Sequence, residues 1–367
     1  MEVRTSLKIL LCTGIFPPQP GGPATYTALL AEALSKRGHR ICVITYGESS
    51  MVKAYPFPVI YIRRSVLKPL HYFRYFRAAR KHGAKADVIY AQDPVSSGYP
   101  ASLAARSLKK PFVLRVPGDY SWEQAYGRKL TDLSIDDFQL LRSFPRPIAR
   151  IRGLQISACR SADVIVTPSE YLKRLVVGWG IKESKPQVIY NSIPALPDIG
   201  RDQARQELGF ADDDFVVFSA GRSVPWKGFS LLREVVSDLS KKDSRYRLVI
   251  QNDAPRSDIL KNLRACDVFI LNSGYEGFAF ILLEAAAMGA PIVTTTSGAN
   301  PEVISEGKNG LLITYNDRSE LEAAIEKLRN DPGLRMRLAD EAKKLLGVFA
   351  EERMINETEG VLLKCAS

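Results

Sequence analysis

Short apolar runs alternate with amphipathic stretches along most of the chain. Lys8–Cys12 and Arg40–Tyr46 read as buried strands, with Tyr26–Arg37 as the helix between them, closed by Gly38. Pro58–Arg63, Asp87–Ala91 and Pro111–Val116 continue the strands, and Ser96–Ser107 reads as a helix between the last two. A helical region from about Pro145 leads into the strand Asp163–Thr167, and Gln187–Tyr190 closes the series. Asn191–Arg201, with two prolines and a glycine, reads as a linker. The alternation then restarts with strands Phe215–Ser219, Tyr246–Gln251, Asp267–Leu271, Pro291–Thr295 and Gly310–Thr314. Helices are expected up to Leu239, over Arg256–Ala265 and after Gly277, and again over Ser319–Arg329 and Leu334–Leu346. Such regular alternation argues for parallel, doubly wound α/β sheets.

The stretch Leu271–Gly289, LNSGYEGFAFILLEAAAMG, passes from strand to glycine-bearing loop to a helix with no breaker until Gly289. Glu276 lies in the loop and Glu284 in the helix. A helix N-terminus offers unpaired N–H groups and a partial positive charge, which favour a phosphate. A carboxylate beside it would repel a phosphate and is better suited to accept hydrogen bonds from the hydroxyls of a sugar or a ribose. On spacing alone, the two acids could equally stand on a solvated turn and an exposed helix face. Two further strand-to-helix turns carry glycine: Ser219–Gly228 (SAGRSVPWKG) and Phe16–Tyr26 (FPPQPGGPATY). Strand ends of this kind are where open α/β sheets bind ligands.

Taken in order, these motifs resemble those of the retaining glycosyltransferases of family 4. The resemblance rests on the E-x7-E pair Glu276 and Glu284, the G-R…K-G loop of Gly221, Arg222, Lys227 and Gly228, and the early Gly21-Gly22 turn. It runs from about Ile9 to about Leu346. It implies an α/β fold of the GT-B type, two Rossmann-like, doubly wound parallel-sheet domains facing a central cleft. The N-terminal acceptor-side domain would cover residues 1–195 and the nucleotide-sugar donor domain 196–347; the terminal helix, 348–367, would cross back to the first domain, with Glu351–Lys364 as the crossing segment.

The activity implied is transfer of a hexose-type sugar, with retention, from a nucleotide diphosphate sugar to a glycan or lipid-linked acceptor in cell-envelope or exopolysaccharide assembly. Arg222 and Lys227 would hold the donor diphosphate, Glu284 the ribose hydroxyls and Glu276 the sugar hydroxyls. Backbone N–H groups of Gly277, Phe278 and Ala279 would hold sugar and phosphate, and Gly21 and Gly22 would let the backbone approach the phosphate closely. The alternatives are a surface cation resting on Trp226 for Lys227 and a plain Pro-Gly turn for Gly21-Gly22. No cofactor beyond the donor substrate is implied. Metal is expected to be dispensable, since Arg222 and Lys227 supply positive charge and no Asp-x-Asp motif ends a strand.

Two departures qualify the resemblance. Many family members carry a histidine after the strand matching Pro111–Val116, where this chain has Pro117. Asp119 or Arg115 is the candidate to take over that polar contact, so Asp119 joins Glu276, Arg222 and Lys227 among the catalytic candidates. After Gln251 about one helix and one strand of the family pattern are absent, with Gln251-Asn252-Asp253 in place of the usual Gly-Asp-Gly. This motivates an alternative reading, a degenerate GT-B scaffold that binds nucleotide or a partner without turnover. A dinucleotide oxidoreductase is disfavoured because the loop after Lys8–Cys12 lacks GxGxxG.

Charge changes the picture for one half only. Residues 1–200 hold 29 Lys and Arg against 14 Asp and Glu, whereas the remainder holds 22 against 26. The densest basic stretch, Arg63–Lys85, interleaves Tyr72, Phe73, Tyr75 and Phe76 with arginines and lysines. It could lie on an anionic membrane surface, or cover the sheet with its aromatics and leave its charges in water. No nucleic-acid-binding motif accompanies it. No apolar run of about 18 residues suggests a membrane span. The start, with Arg4 and Lys8 before ILLCTGIF, reads as a first strand rather than a signal peptide. Five scattered cysteines without CxxC spacing fit reduced thiols and no zinc site. A cytoplasmic protein, peripheral at the inner face of the membrane if the basic stretch docks there, is the expected location.

Overall fold

The computed structural model describes residues 6–19, 21–48 and 54–367, so Arg4 lies outside the described residues. The chain divides into two compact units, one of residues 1–191 with 352–367 and the other of 192–351. These limits replace the 195/196 and 347/348 boundaries drawn from the sequence. One reason is the Ser192 hydroxyl, which donates to the Phe349 carbonyl at 2.6 Å and ties both ends of the second unit together.

In the first unit, seven parallel strands form one sheet: β1 (Lys8–Cys12), β2 (Arg40–Tyr46), β3 (Val59–Ile62), β4 (Val88–Ala91), β5 (Phe112–Arg115), β6 (Val164–Thr167) and β7 (Pro186–Val188). Their order is β3-β2-β1-β4-β5-β6-β7, so the direction of winding reverses between β1 and β4. Strands β1, β4 and β5 are buried almost throughout, as continuous apolar runs covered on both faces must be. The first helix spans Gly22–Lys36 and starts one turn earlier than its apolar pattern suggests. Pro23 in its first turn lacks only an N–H that the helix does not use there.

The last helix, Glu351–Ala366, belongs to the first unit and buries Met354, Ile355, Val361 and Leu362. Glu359 receives hydrogen bonds from Arg37 and from His39 Nε2, the latter at 2.7 Å. His39 Nδ1 accepts from the Leu7 N–H at 3.1 Å, which fixes the tautomer with the proton on Nε2.

The second unit holds five parallel strands: β8 (Phe215–Gly221), β9 (Tyr246–Asn252), β10 (Val268–Leu271), β11 (Ile292–Thr295) and β12 (Leu311–Ile313). Their order, β12-β11-β10-β8-β9, leaves β9 at the edge and puts the reversal of winding between β8 and β10. Beyond β8 the sheet thus ends at β9, which is continuous with it over seven paired residues.

A helix over Arg201–Leu208 begins where the expected linker ends, in a stretch for which the sequence suggests no element. Its RDQARQEL sequence has almost no apolar face, so periodicity cannot reveal it. Long-range polar contacts hold it instead. Arg201 Nη2 and Arg205 Nη1 reach the two oxygens of Asp267 at 2.7 and 3.2 Å, and Asp267 Oδ2 also accepts the Val216 N–H at 2.8 Å. Helices over Tyr120–Gly127, Ile135–Gln139 and Glu170–Gly178 likewise add to the expected elements. All five cysteines are free thiols, and burial pushes Cys159 and Cys266 up to about 12. Among the described residues no helix is long and apolar enough to cross a membrane.

Candidate active site

Ligands of doubly wound sheets bind beyond the carboxyl ends of the strands where the winding reverses. In the second unit that point lies between β8 and β10; Gly221 ends β8, the loop after it carries Arg222 and Lys227, and the loop after β10 carries Glu276. Lys227 sits in a single 3-10 turn, Pro225–Lys227. Its side chain runs over Gly221, where an added Cβ would approach Lys227 Cε to 3.3 Å. Lys227 Nζ meets Glu276 Oε1 at 2.5 Å, and the two side chains are only 10% and 14% exposed. The alternative of a surface cation resting on Trp226 does not describe this lysine, which is buried and ion-paired. Arg222, by contrast, is exposed on its loop.

The loop bearing Glu276 is clamped from three sides. Gly274 N donates to the Trp226 carbonyl at 2.8 Å, Ala299 N donates to the Glu276 carbonyl at 2.9 Å, and Thr295 Oγ1 donates to the Ser273 carbonyl at 2.5 Å. Gly298, at φ +63°, lies so close to Glu276 that a Cβ there would stand 2.3 Å from its carbonyl oxygen. Asn272 donates to the Gly228 carbonyl at 3.2 Å and to Asn316 Oδ1 at 3.1 Å, and accepts the Asn316 N–H at 3.2 Å. Gly228, at φ +60°, has the Asn272 carbonyl where a side chain would go. Both loops are thus held rigid before any ligand arrives, which is the condition for charges to act on a reacting group without reorganisation.

Gly277, Phe278 and Ala279 form the turn into the helix Phe280–Met288, with Ala279 at its N-cap. Glu284 lies inside that helix, mostly buried, and pairs with Arg256 Nη2 at 2.9 Å. Burial pushes the Glu284 carboxyl above the ordinary glutamate range, and the neighbouring Arg256 only partly offsets this. Arg256 opens the helix Arg256–Ala265 directly after the loop that follows β9. No motif marks it in the sequence, because its role comes from the short β9-to-helix connection. Asn272, Gly298 and Asn316 were equally silent, being ordinary loop residues until three strands bring them together.

In the first unit the winding reverses between β1 and β4. Gly21, at φ +138°, caps the helix Gly22–Lys36, nine residues after the end of β1. Asp119 does not stand open there. It is fully buried at the N-cap of the helix Tyr120–Gly127, where its carboxylate accepts from Ser121 N at 3.0 Å, Ser121 Oγ at 2.6 Å, Gln155 Nε2 at 3.0 Å and Gln139 Nε2 at 2.9 Å. Arg152 Nη1 adds an ion pair at 3.6 Å. A carboxylate so fully engaged is a structural hub rather than a free acid or base. Arg115, the other candidate beside Pro117, is also buried. It stacks over the Tyr26 ring at 3.9 Å and donates to Asn191 Oδ1 at 2.6 Å.

Two parallel Rossmann-like sheets with glycine-bearing loops at their reversal points define a glycosyltransferase of GT-B type when set against known proteins. Residues 20–195 match the model described as Glycosyltransferase Family 4 and residues 251–345 the model described as Glycosyl transferases group 1. The chain belongs to glycosyltransferase family 4. An uncharacterized glycosyltransferase of Methanocaldococcus jannaschii is 26% identical over 92% of this chain and 93% of that protein. The lipopolysaccharide core biosynthesis glycosyltransferase LpsE of Rhizobium meliloti is 30% identical over 54% of this chain and 63% of its own length. Among solved structures, HepE of Anabaena in complex with UDP-glucose superposes with a TM-score of 0.75 at 19% identity, covering 97% of this chain and 99% of that one. Sucrose-phosphate synthase of Thermosynechococcus elongatus does so with a TM-score of 0.76 at 16% identity, covering 98% and 100%. At these identities the two structures establish the fold alone.

Proposed function

We propose that this glycosyltransferase moves a hexose-type sugar from a nucleotide diphosphate sugar to a hydroxyl of a glycan or lipid-linked acceptor, with retention at the anomeric carbon. The observation that carries this reading is the buried Lys227–Glu276 pair at the reversal point of the second sheet. An acid beside a phosphate site is unfavourable unless a cation accompanies it, and in this reading Lys227, paired with Glu276, is that cation. Its ammonium has three donors, so it can bond a diphosphate oxygen while still holding Glu276. Glu276 keeps an oxygen for the sugar hydroxyls, and Glu284 does the same for the ribose.

In the proposed step the bond from the anomeric carbon to the leaving diphosphate oxygen breaks. The acceptor oxygen bonds to the same face of that carbon, and the acceptor proton passes to the leaving phosphate. Lys227 and Arg222 stabilise the charge that grows on the diphosphate. This route needs neither the histidine replaced by Pro117 nor Asp119, and no metal is required for it. The chain's similarity to a lipopolysaccharide core enzyme and the UDP-glucose complex of HepE support a sugar nucleotide donor and a cell-envelope acceptor.

A panel of UDP-, GDP- and ADP-sugars, assayed for hydrolysis or transfer with and without a chelator, tests the reading. Turnover on one of them that survives chelation and keeps the anomeric configuration is the expected result. Tight nucleotide binding without turnover on any donor would favour the degenerate scaffold, for which the sheet ending at β9 is the motivating observation.

A further inference from the structure

The helix Lys68–Gly83 divides its aromatic residues between two faces. Tyr75 is buried, and its hydroxyl donates to the carbonyls of Thr13 and Ile44 at 3.1 and 2.9 Å, which anchors the helix to the first sheet. His71 stacks on Tyr46 with ring centroids 3.9 Å apart, and Tyr72 meets Tyr99 edge-on. Phe73 turns the other way and is 53% exposed. So does a run of apolar residues at and before the helix start: Val66 is 99%, Leu67 67% and Leu70 37% exposed. Single exposed hydrophobics are ordinary, but four within eight positions form a patch. Leu70, Phe73 and Arg77 recur at the three- and four-residue spacing of one helical face.

The chain that carries this patch is strongly basic. From Ser49 to Ala86 the sequence holds nine Lys and Arg and no Asp or Glu. Arg63, Arg64, Arg74, Arg77, Arg80, Lys81 and Lys85 are all exposed. Arg63 lies 3.9 Å from Glu48, an exposed pair too long to neutralise it. An exposed apolar ridge edged by cations matches the two layers of an anionic lipid leaflet, headgroup charge outside and acyl chains beneath. A nucleic acid or an acidic glycan would use the cations and leave Val66, Leu67 and Phe73 in water.

We propose that the segment Arg63–Lys81 docks the first unit on an anionic phospholipid surface, with Val66, Leu67 and Phe73 inserting among the acyl chains. Inner aromatics hold the helix to the sheet, so the outer ridge is presented ready-made and no helix has to form on contact. The docking gives the proposed transfer a place to meet a lipid-linked acceptor, but it is read without donor or turnover, so either reading can fail alone.

The test uses the full chain and vesicles of phosphatidylcholine with or without phosphatidylglycerol, at physiological salt. Binding to the phosphatidylglycerol vesicles alone is expected, weakened about tenfold or more in Leu67→Asp/Phe73→Asp and to a similar extent in Arg74→Glu/Arg77→Glu. Both variants should keep the wild-type circular dichroism. The Leu67→Trp variant should gain blue-shifted emission over the wild type on the same vesicles. Wild-type vesicle binding by Leu67→Asp/Phe73→Asp, or a Leu67→Trp emission that stays solvent-like, would overturn the proposal. So would an oligonucleotide or heparin retained more tightly than the vesicles, which would assign the cations to another polyanion.

Discussion

Lys227 and Glu276 lie 49 residues apart in sequence and 2.5 Å apart in space, joining the loop after β8 to the loop after β10. The pair has a consequence for mutagenesis. Lys227→Met and Glu276→Gln should each lower turnover by about 10²–10³-fold, the cost of removing one preorganised charge. The double variant should lose less than the product of the two, because each single change already breaks the same contact. Single-turnover rates on the donor identified by the panel measure this. Multiplicative losses would mean that the two groups act independently.

Glu284 makes a pH prediction. Its carboxyl is raised by burial, with Arg256 pulling the other way. Ribose hydroxyls need the carboxylate form as acceptor, so donor binding should weaken on acidification at a pH above that of an exposed glutamate. Arg256→Ala removes the opposing cation and should move this limb higher still, while Glu284→Gln should abolish it. The stability sign is opposite to that of an ordinary ion pair. A raised folded value favours the protonated form, so its stabilising contribution is present below the ordinary glutamate range and is lost as pH rises through the raised value. Nucleotide titrations across pH in the three proteins check the order.

Gly298 sits where a Cβ would stand 2.3 Å from the Glu276 carbonyl, with a left-handed φ of +63°. Gly298→Ala should therefore destabilise the protein by roughly 1–3 kcal/mol and displace the Glu276 loop. Turnover should fall further than donor affinity. An alanine variant with wild-type kcat would show that the loop tolerates the shift.

Asp119 is predicted to matter for folding, not for chemistry. Asp119→Ala leaves Gln139, Gln155 and the Ser121 and Trp122 amides without their shared acceptor and should cost about 3 kcal/mol or more. Denaturant unfolding measures the loss. The folded fraction at low temperature should retain nearly full specific activity, an outcome that a catalytic role would forbid.

Glu359 ties the terminal helix to the rest of the first unit through His39 and Arg37. Burial acts to raise its carboxyl, but the hydrogen bonds from His39 and Arg37 outweigh it and leave the group below the ordinary range. A lowered value contributes stability that is present above the ordinary glutamate range and lost as pH falls through the folded value. Glu359→Gln should lower stability by about 1–2 kcal/mol near neutrality and flatten the acid side of the stability profile. Thermal unfolding between mildly acidic and neutral pH is the measurement.

The alternation of apolar runs was enough to place the strands, because a strand buried on both faces announces itself by composition alone. The same pattern puts Arg222, Lys227 and Glu276 on the loops after β8 and β10 and Glu284 in the helix that follows, and the structure has them on those elements. Which of them meet was not legible. Lys227 is buried on Glu276 while Arg222 stays exposed, and Glu284 turns to Arg256, because strand order and the short connection after β9 decide neighbours that no local pattern encodes. Asp119 and the helix Arg201–Leu208 make the same point from polar residues. Burial turned one apparent catalytic acid into a structural cap, and bonds to the distant Asp267 hold a helix that its own periodicity does not announce. Apolar periodicity is a local property and survives in the linear chain; the pairing of charges is a property of which loops the sheet brings side by side, and only the folded chain contains it.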